Sequence, residues 1–74
     1  MKDMLYRIIS DINPYEDIAD DTLLLEEGIL DSVSLLLVIE EIENELGIKI
    51  PEDKIEVENF ASINAIISFL NDLR

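Results

Sequence analysis

The sequence predicts an all-α fold, a small bundle of three main helices and one short helix, with a long loop between helices 1 and 2. Two observations predict it. Apolar residues recur at helical spacing in three segments, and residues typical of helix ends lie at the segment boundaries. The chain has 74 residues, 49% of them hydrophobic. That is enough for a single domain, 1–74, with one small core, so a disordered chain is excluded.

The first helix is expected near residues 2–12. Asn13-Pro14 ends it, because proline disfavours the α conformation in the residue before it. The apolar residues of this helix are three or four positions apart: Met4, Leu5, Ile8, Ile9 and Ile12. The connection that follows, residues 13–30, is too long to be left loose in a small domain. We expect it to be held by its own apolar residues: Ile18, Leu23, Leu24, Leu25, Ile29 and Leu30.

The second helix is expected from about Ser32 to Leu46. Asp31 is a good N-cap residue, and Gly47 is a good terminator just beyond the helix. A short, weak helix should follow near Glu52–Val57, and a last helix should open at Ala61 or Ser62 and end near Leu73. The alternating residues 54–58 could also form a strand, but they have no partner strand, so helix or turn is preferred.

Two separate apolar faces are predicted on the second helix, at about 100° per residue. The core face contains Leu35, Val38, Ile39, Ile42 and Leu46. Val33, Leu36 and Leu37 lie on another sector, which carries Glu40 further along the helix. Either the short third helix or the long loop covers Leu36, or the sector is exposed; Val33 and Leu37 are harder to cover. A small apolar patch rimmed by carboxylates is typical of a transient docking site.

Acidic residues dominate the surface, and the formal net charge is −13. No basic residue lies between Arg7 and Lys49, whereas twelve acids do: Asp11, Glu16, Asp17, Asp20, Asp21, Glu26, Glu27, Asp31, Glu40, Glu41, Glu43 and Glu45. Such a surface repels nucleic acid and anionic lipid and favours basic patches on proteins. The alternative is that these acids only keep a small apolar domain in solution.

Other features narrow the function classes further. Without cysteine, neither a disulfide framework nor a thiolate metal site can form. The acids do not follow EF-hand spacing, so no metal site is predicted. No apolar run is long enough to insert stably in a membrane, and no signal peptide is evident, so a cytoplasmic location is expected.

Ser32 places a hydroxyl at the predicted start of the second helix. The chain has neither His nor Cys, so this hydroxyl lacks an activating base and no catalytic residue is predicted. Ser32 is a better candidate for modification by another enzyme. Free backbone N–H groups and the helix dipole favour an anionic group, such as a phosphate ester, at this end. The alternative is that Ser32 is only a cap residue.

Four segments together resemble the acyl/peptidyl carrier protein family: 24–30, 30–33, 42–51 and 63–70. They contain the approach LLEEGIL, the LDSV motif, IENELGIKIP and INAIISFL. The resemblance covers nearly the full length of the chain. Free-standing acyl carrier proteins and D-alanyl carriers are among the family members that the chain resembles. It implies an acyl-carrier-protein-like bundle in which Ser32 is the modified serine.

The resemblance also implies the activity. A phosphopantetheinyl transferase moves 4′-phosphopantetheine from coenzyme A onto Ser32, and the thiol of the arm holds an acyl or aminoacyl group as a thioester. The protein would then be a monomeric carrier and not an enzyme. Its other partners would be a cargo-loading ligase, adenylating enzyme or acyltransferase, and a downstream synthase or transferase. Partner docking is expected at residues on and beside the modified helix: Asp31, Val33, Leu36, Leu37 and Glu40.

Two positions depart from the pattern of fatty-acid carriers. Ser34 and Leu37 stand where those carriers usually have acids. These departures weaken the case for general fatty-acid synthesis. The stretch 42–44 and the approach 28–32 look more like those of stand-alone carriers for amino acids, D-alanyl carriers included, or of carriers for specialised polyketide or nonribosomal groups. Two other functions use the same charge: an acidic helical adaptor or inhibitor without a prosthetic group, and a weak divalent-cation buffer.

Overall fold

Three α-helices and two 3-10 turns make up the fold of the computed structural model, which describes residues 1–73. No β-strand occurs within that range. The predictions for the three main helices are confirmed to within a residue or two. The elements are α1 (Lys2–Ile12), α2 (Ser32–Leu46), the turns Glu52–Lys54 and Val57–Phe60, and α3 (Ile63–Leu73).

Each main helix begins or ends where the sequence supplies a partner for its free backbone groups. The N–H of Asn13 donates to Ile9 O at 2.8 Å and closes the last turn of α1. Gly47 adopts φ 64°, the left-handed conformation that stops α2. Ser62 Oγ accepts the N–H of Ala65 at 3.1 Å, which makes Ser62 the residue that caps α3.

One hydrophobic core joins the three helices. Phe60 lies fully buried at its centre, with its ring 5.3 Å from that of Phe69 in a tilted arrangement. The predicted core face of α2 is confirmed: Val38, Ile39 and Ile42 are buried, and Leu35 and Leu46 are partly buried against the core. The other buried apolar residues are Leu5, Ile8, Ile9, Leu24, Ile29, Leu30, Ile50, Ile63, Ile66 and Leu70.

The long connection between α1 and α2 is tied down, as predicted. Leu24 is its central anchor: the side chain is fully buried, the N–H donates to Ala61 O at 2.8 Å, and the carbonyl accepts Leu30 N–H at 2.9 Å. Ile29 and Leu30 are buried as well. The prediction that Leu23 is an anchor is wrong, since this residue is 42% exposed.

Asp20 fastens the middle of the connection to both neighbouring helices. Its carboxylate accepts Tyr6 OH at 2.6 Å and Lys2 Nζ at 2.7 Å from α1. Its carbonyl accepts Asn64 N–H at 3.0 Å from α3. These bonds tie the loop to α1 and α3 in addition to its apolar anchors.

A fourth helix near Glu52–Val57 is not confirmed. The chain there forms two separate 3-10 turns, because Ile55 (φ −84°, ψ 85°) and Glu56 (φ −123°, ψ 150°) leave the helical conformation between them. The structure is therefore a three-helix bundle with a turn-rich link between α2 and α3. None of its helices within residues 1–73 is long and apolar enough to cross a membrane.

Candidate attachment and docking site

The N-terminus of α2 is closed by a reciprocal pair of hydrogen bonds between Asp31 and Ser34. Asp31 Oδ1 accepts Ser34 N–H at 2.9 Å, and Ser34 Oγ accepts Asp31 N–H at 2.8 Å. This is a capping box in which a serine replaces the usual Glu or Gln at the third helical position. Ser34 Oγ also donates to Asp31 Oδ1 at 2.9 Å. The Ser34 hydroxyl is therefore fully engaged in the structure of the helix start.

Ser32 lies between these two residues and is the first residue of α2. Its side chain is exposed. Within residues 1–73, no side-chain hydrogen bond is made to or from Ser32 Oγ, so the hydroxyl has no capping role. The capping role that sequence alone left open for Ser32 belongs to Asp31 and Ser34.

Hydrogen bonds from Ser34 hold the pKa of the Asp31 carboxyl below its usual range, first through the backbone N–H and then through the hydroxyl. Asp31 Oδ1 accepts two hydrogen bonds from Ser34, so this carboxylate serves the cap. The chain contains neither His nor Cys. Any enzyme that modifies Ser32 must therefore bring the base that removes the hydroxyl proton.

The segment that leads into Ser32 is held at several points. Leu30 is buried and bonded to Leu24, and Asn13 Nδ2 donates to Ile29 O at 3.2 Å. Gly28 turns the chain with φ 76°, a conformation that glycine adopts without strain. As a result, the Ser32 hydroxyl is presented from a fixed backbone and not from a loose loop.

An exposed apolar surface follows Ser32 along α2. Val33 is 69% exposed, Leu36 58% and Leu37 48%; we call these three residues the α2 patch. Neither the 3-10 turns nor the long loop covers Leu36, which settles the question that sequence left open. Glu40 and Asp31 are also exposed. The structure thus places all the predicted docking residues on the accessible side of α2 or at its start.

Two surface concavities were not predicted from the sequence. A cleft of about 490 Å³ lies beside the turn-rich link and is lined by Leu23, Leu25, Glu26, Val57 and Ala61. A groove of about 290 Å³ lies between α1 and α2 and is lined by Ile8, Asp11, Ile12, Leu37, Glu40 and Glu41. In the sequence, the only indication of either concavity was an apolar residue that lies outside the core faces of the helices: Leu23 for the cleft and Leu37 for the groove. Residues 1–73 contain no group of three or more His, Cys, Asp or Glu side chains placed to hold a metal ion.

The residues at the start of α2 fit a covalently attached phosphate ester. The hydroxyl of Ser32 is exposed and without a side-chain partner, and it lies at the helix end where backbone N–H groups and the dipole favour negative charge. The fit needs no rearrangement of the cap, because Asp31 and Ser34 bond to each other.

Comparison with known proteins identifies the family. No curated protein matches the chain at a significant level. A family model described as "phosphopantetheine attachment site" matches residues 4–70, a range that contains Ser32 and most of every helix. This family carries 4′-phosphopantetheine covalently on a serine and works with a phosphopantetheinyl transferase and further partner enzymes. The chain belongs to the phosphopantetheine attachment site family, that of the acyl and peptidyl carrier proteins.

Proposed function

We propose that Ser32 is the residue that receives 4′-phosphopantetheine from coenzyme A, and that the chain delivers an acyl or aminoacyl group to partner enzymes. The family match supports a phosphopantetheine-carrier role. The observation that carries the assignment to Ser32 is its exposed hydroxyl, which has no side-chain partner, beside a Ser34 hydroxyl that is engaged in the cap.

The chemistry comes with the prosthetic group, whose terminal thiol supplies the sulfur for a thioester in a chain that has no cysteine. The residues of the chain hold and present the attachment point. Asp31 and Ser34 fix the first turn of α2, and the buried Leu30 fixes the segment before it. Carrier domains of this family are typically not catalytic themselves, and the chain has no His or Cys that could activate Ser32.

Docking of partners is assigned to the α2 patch together with Asp31 and Glu40. The patch is apolar, exposed and next to Ser32, so a partner that covers it brings its active site close to the attachment point. Charges at its rim steer basic surfaces toward it. The patch is small, so each complex should be transient, which allows one partner to hand over to the next.

Cargo other than a general fatty acid is favoured by Ser34 and Leu37, which stand where fatty-acid carriers usually have acids. Ser34 performs at the third helical position the capping function that a glutamate would perform. The helix start is therefore stable without the extra charge. The resulting face is more apolar, and the resemblance of residues 28–32 and 42–44 to stand-alone amino-acid carriers favours aminoacyl or specialised polyketide and nonribosomal groups.

Intact-protein mass spectrometry tests the assignment. The purified chain is incubated with coenzyme A, Mg²⁺ and a broad-specificity phosphopantetheinyl transferase, and one phosphopantetheine should be added. Ser32→Ala should abolish the addition, and the matched variant Ser34→Ala should retain it. Modification of Ser32→Ala, or an unmodified wild type with several transferases, would contradict the proposal.

An acidic adaptor or inhibitor without a prosthetic group would use the same exposed α2 patch. It gives the Ser32 hydroxyl no function, so a captured partner would bind Ser32→Ala and wild type equally, with or without coenzyme A. The family match favours the carrier.

A further inference from the structure

The groove between α1 and α2 has an apolar interior. Ile8 lies buried at its base, Ile12 is half-buried, and Leu37 forms part of its wall with 48% of its side chain exposed. Leu37 also belongs to the α2 patch. The groove is thus a continuation of the proposed docking surface, from α2 across onto α1.

Three carboxylates line the same groove: Asp11 from α1, and Glu40 and Glu41 from α2. All three are exposed, and none forms an ion pair within residues 1–73. The nearest basic residue of α1 in sequence, Arg7, is engaged with Glu45 at 2.7 Å. Besides the hydrogen bond to Glu45, the charges of Asp11 and Glu41 help to raise the pKa of Arg7, so Arg7 partly offsets the charge of the groove. Within residues 1–73, however, no cation forms an ion pair with a groove carboxylate.

A metal ion does not suit this arrangement, because no group of three or more acids within residues 1–73 is placed to hold one. A long side chain with an apolar stem and a cationic end does suit it. The stem can lie along Ile12 and Leu37 while the charged end meets the carboxylates. Arginine fits better than lysine, since its planar guanidinium bonds carboxylates in pairs and is more weakly hydrated.

We propose that this groove is a second docking element, which takes an arginine side chain from the surface of partner enzymes, the phosphopantetheinyl transferase included. The proposal rests on the carrier function proposed above. A partner that contacts only the α2 patch can still rotate about the α2 axis. A second contact, in the groove between α1 and α2, would fix that rotation. The groove therefore determines how Ser32 is oriented in the partner's active site.

Transferase kinetics test the groove with the full chain. The double variant Asp11→Asn/Glu41→Gln removes two groove charges but keeps both side-chain shapes. Glu52→Gln/Asp53→Asn removes two exposed charges from the first 3-10 turn, outside the groove, and is the control. With the broad-specificity transferase and coenzyme A, we expect the groove variant to raise KM for the carrier about 5- to 30-fold at low salt, with kcat nearly unchanged. The control should raise KM less than about twofold.

A binding measurement gives an independent readout. Isotope-labelled Ser32→Ala chain is titrated with the same transferase, and backbone amide shifts are followed by NMR. In the Ser32→Ala chain with an intact groove, we expect the transferase to shift the amide signals of Asp11 and Ile12 as well as those along α2. When the groove double variant is added to Ser32→Ala, the shifts at positions 11 and 12 should disappear.

Different results separate the two proposals. If the wild type is modified at Ser32 but both double variants change KM equally, or if Asp11 and Ile12 show no shifts, the groove has no docking role and the carrier assignment remains. If the wild type is not modified, the carrier assignment itself fails.

Discussion

Replacing Ser34 by alanine should destabilise the fold, whereas replacing Ser32 should not. Ser34→Ala removes two hydrogen bonds at the helix start, from Asp31 N–H to Ser34 Oγ at 2.8 Å and from Ser34 Oγ to Asp31 Oδ1 at 2.9 Å. Losing them costs about 1.5 kcal/mol in the free energy of unfolding. Alanine returns about 0.5 kcal/mol through its higher helix propensity. The net loss of about 1 kcal/mol should lower Tm by about 4–8 °C in a domain of this size.

Ser32→Ala is the matched control, because it brings the same gain in helix propensity without the loss of a side-chain hydrogen bond. Its Tm should be unchanged or a few degrees higher. Thermal unfolding of the unmodified chains, followed by far-UV circular dichroism at neutral pH and equal salt, measures the difference. Melting temperatures of the two variants within about 2 °C of each other would refute the reasoning, because Ser34 would then contribute no more to the cap than Ser32.

Four further predictions concern the pH dependence of stability, backbone conformation and docking. The hydrogen bond to Asp20 raises the pKa of Tyr6 to about 12. The contribution of Tyr6 to stability should therefore be fully present below the usual tyrosine pKa and be lost as pH rises toward 12. Thermal melts at alkaline pH should show this loss in the wild type and not in Tyr6→Phe. Hydrogen bonds from Lys2 and Tyr6 lower the pKa of Asp20. The contribution of Asp20 to the stability of the fold should therefore persist in mild acid and be lost only as pH falls through the lowered pKa. Below that pH, Asp20→Asn and the wild type should have the same Tm. Gly47→Ala meets no atom within 4 Å but must adopt φ 64°, so it should lose about 1 kcal/mol in chemical denaturation, and an equal stability would contradict the left-handed cap. Leu36→Asp should raise KM for the transferase at least about tenfold without lowering Tm, since the side chain is 58% exposed; an unchanged KM would remove Leu36 from the docking surface.

The helices were predictable from the sequence because their ends carry local signals. Pro14, Asp31 and Gly47 each act within one turn, and their effects do not depend on the rest of the fold. Ser34 was not predicted as the partner of Asp31, although the two residues are three positions apart, which is the spacing of a capping box. The signal was present, but a serine replaced the glutamate or glutamine that usually marks it.

Features made by packing were beyond reach of the sequence. Whether Leu36 is covered depends on where the other segments of the chain lie, and the sequence carries no signal for the extended conformation of Glu56 that separates the two 3-10 turns. The groove between α1 and α2 depends on how the two helices cross. Asp11 and Glu41 are thirty positions apart, and helical periodicity alone says only that each lies on a polar face.

The twofold bonding of Leu24, to Ala61 on one side and Leu30 on the other, has a mechanical consequence. If the arm is attached at Ser32, as proposed, its attachment point is joined through Leu30 and Leu24 to Ala61, next to the buried Phe60, by these backbone hydrogen bonds. We therefore expect the domain to move as one rigid body while its cargo passes from one enzyme to the next. Reach toward each successive enzyme must then come from rotation of the whole body and from bonds within the arm.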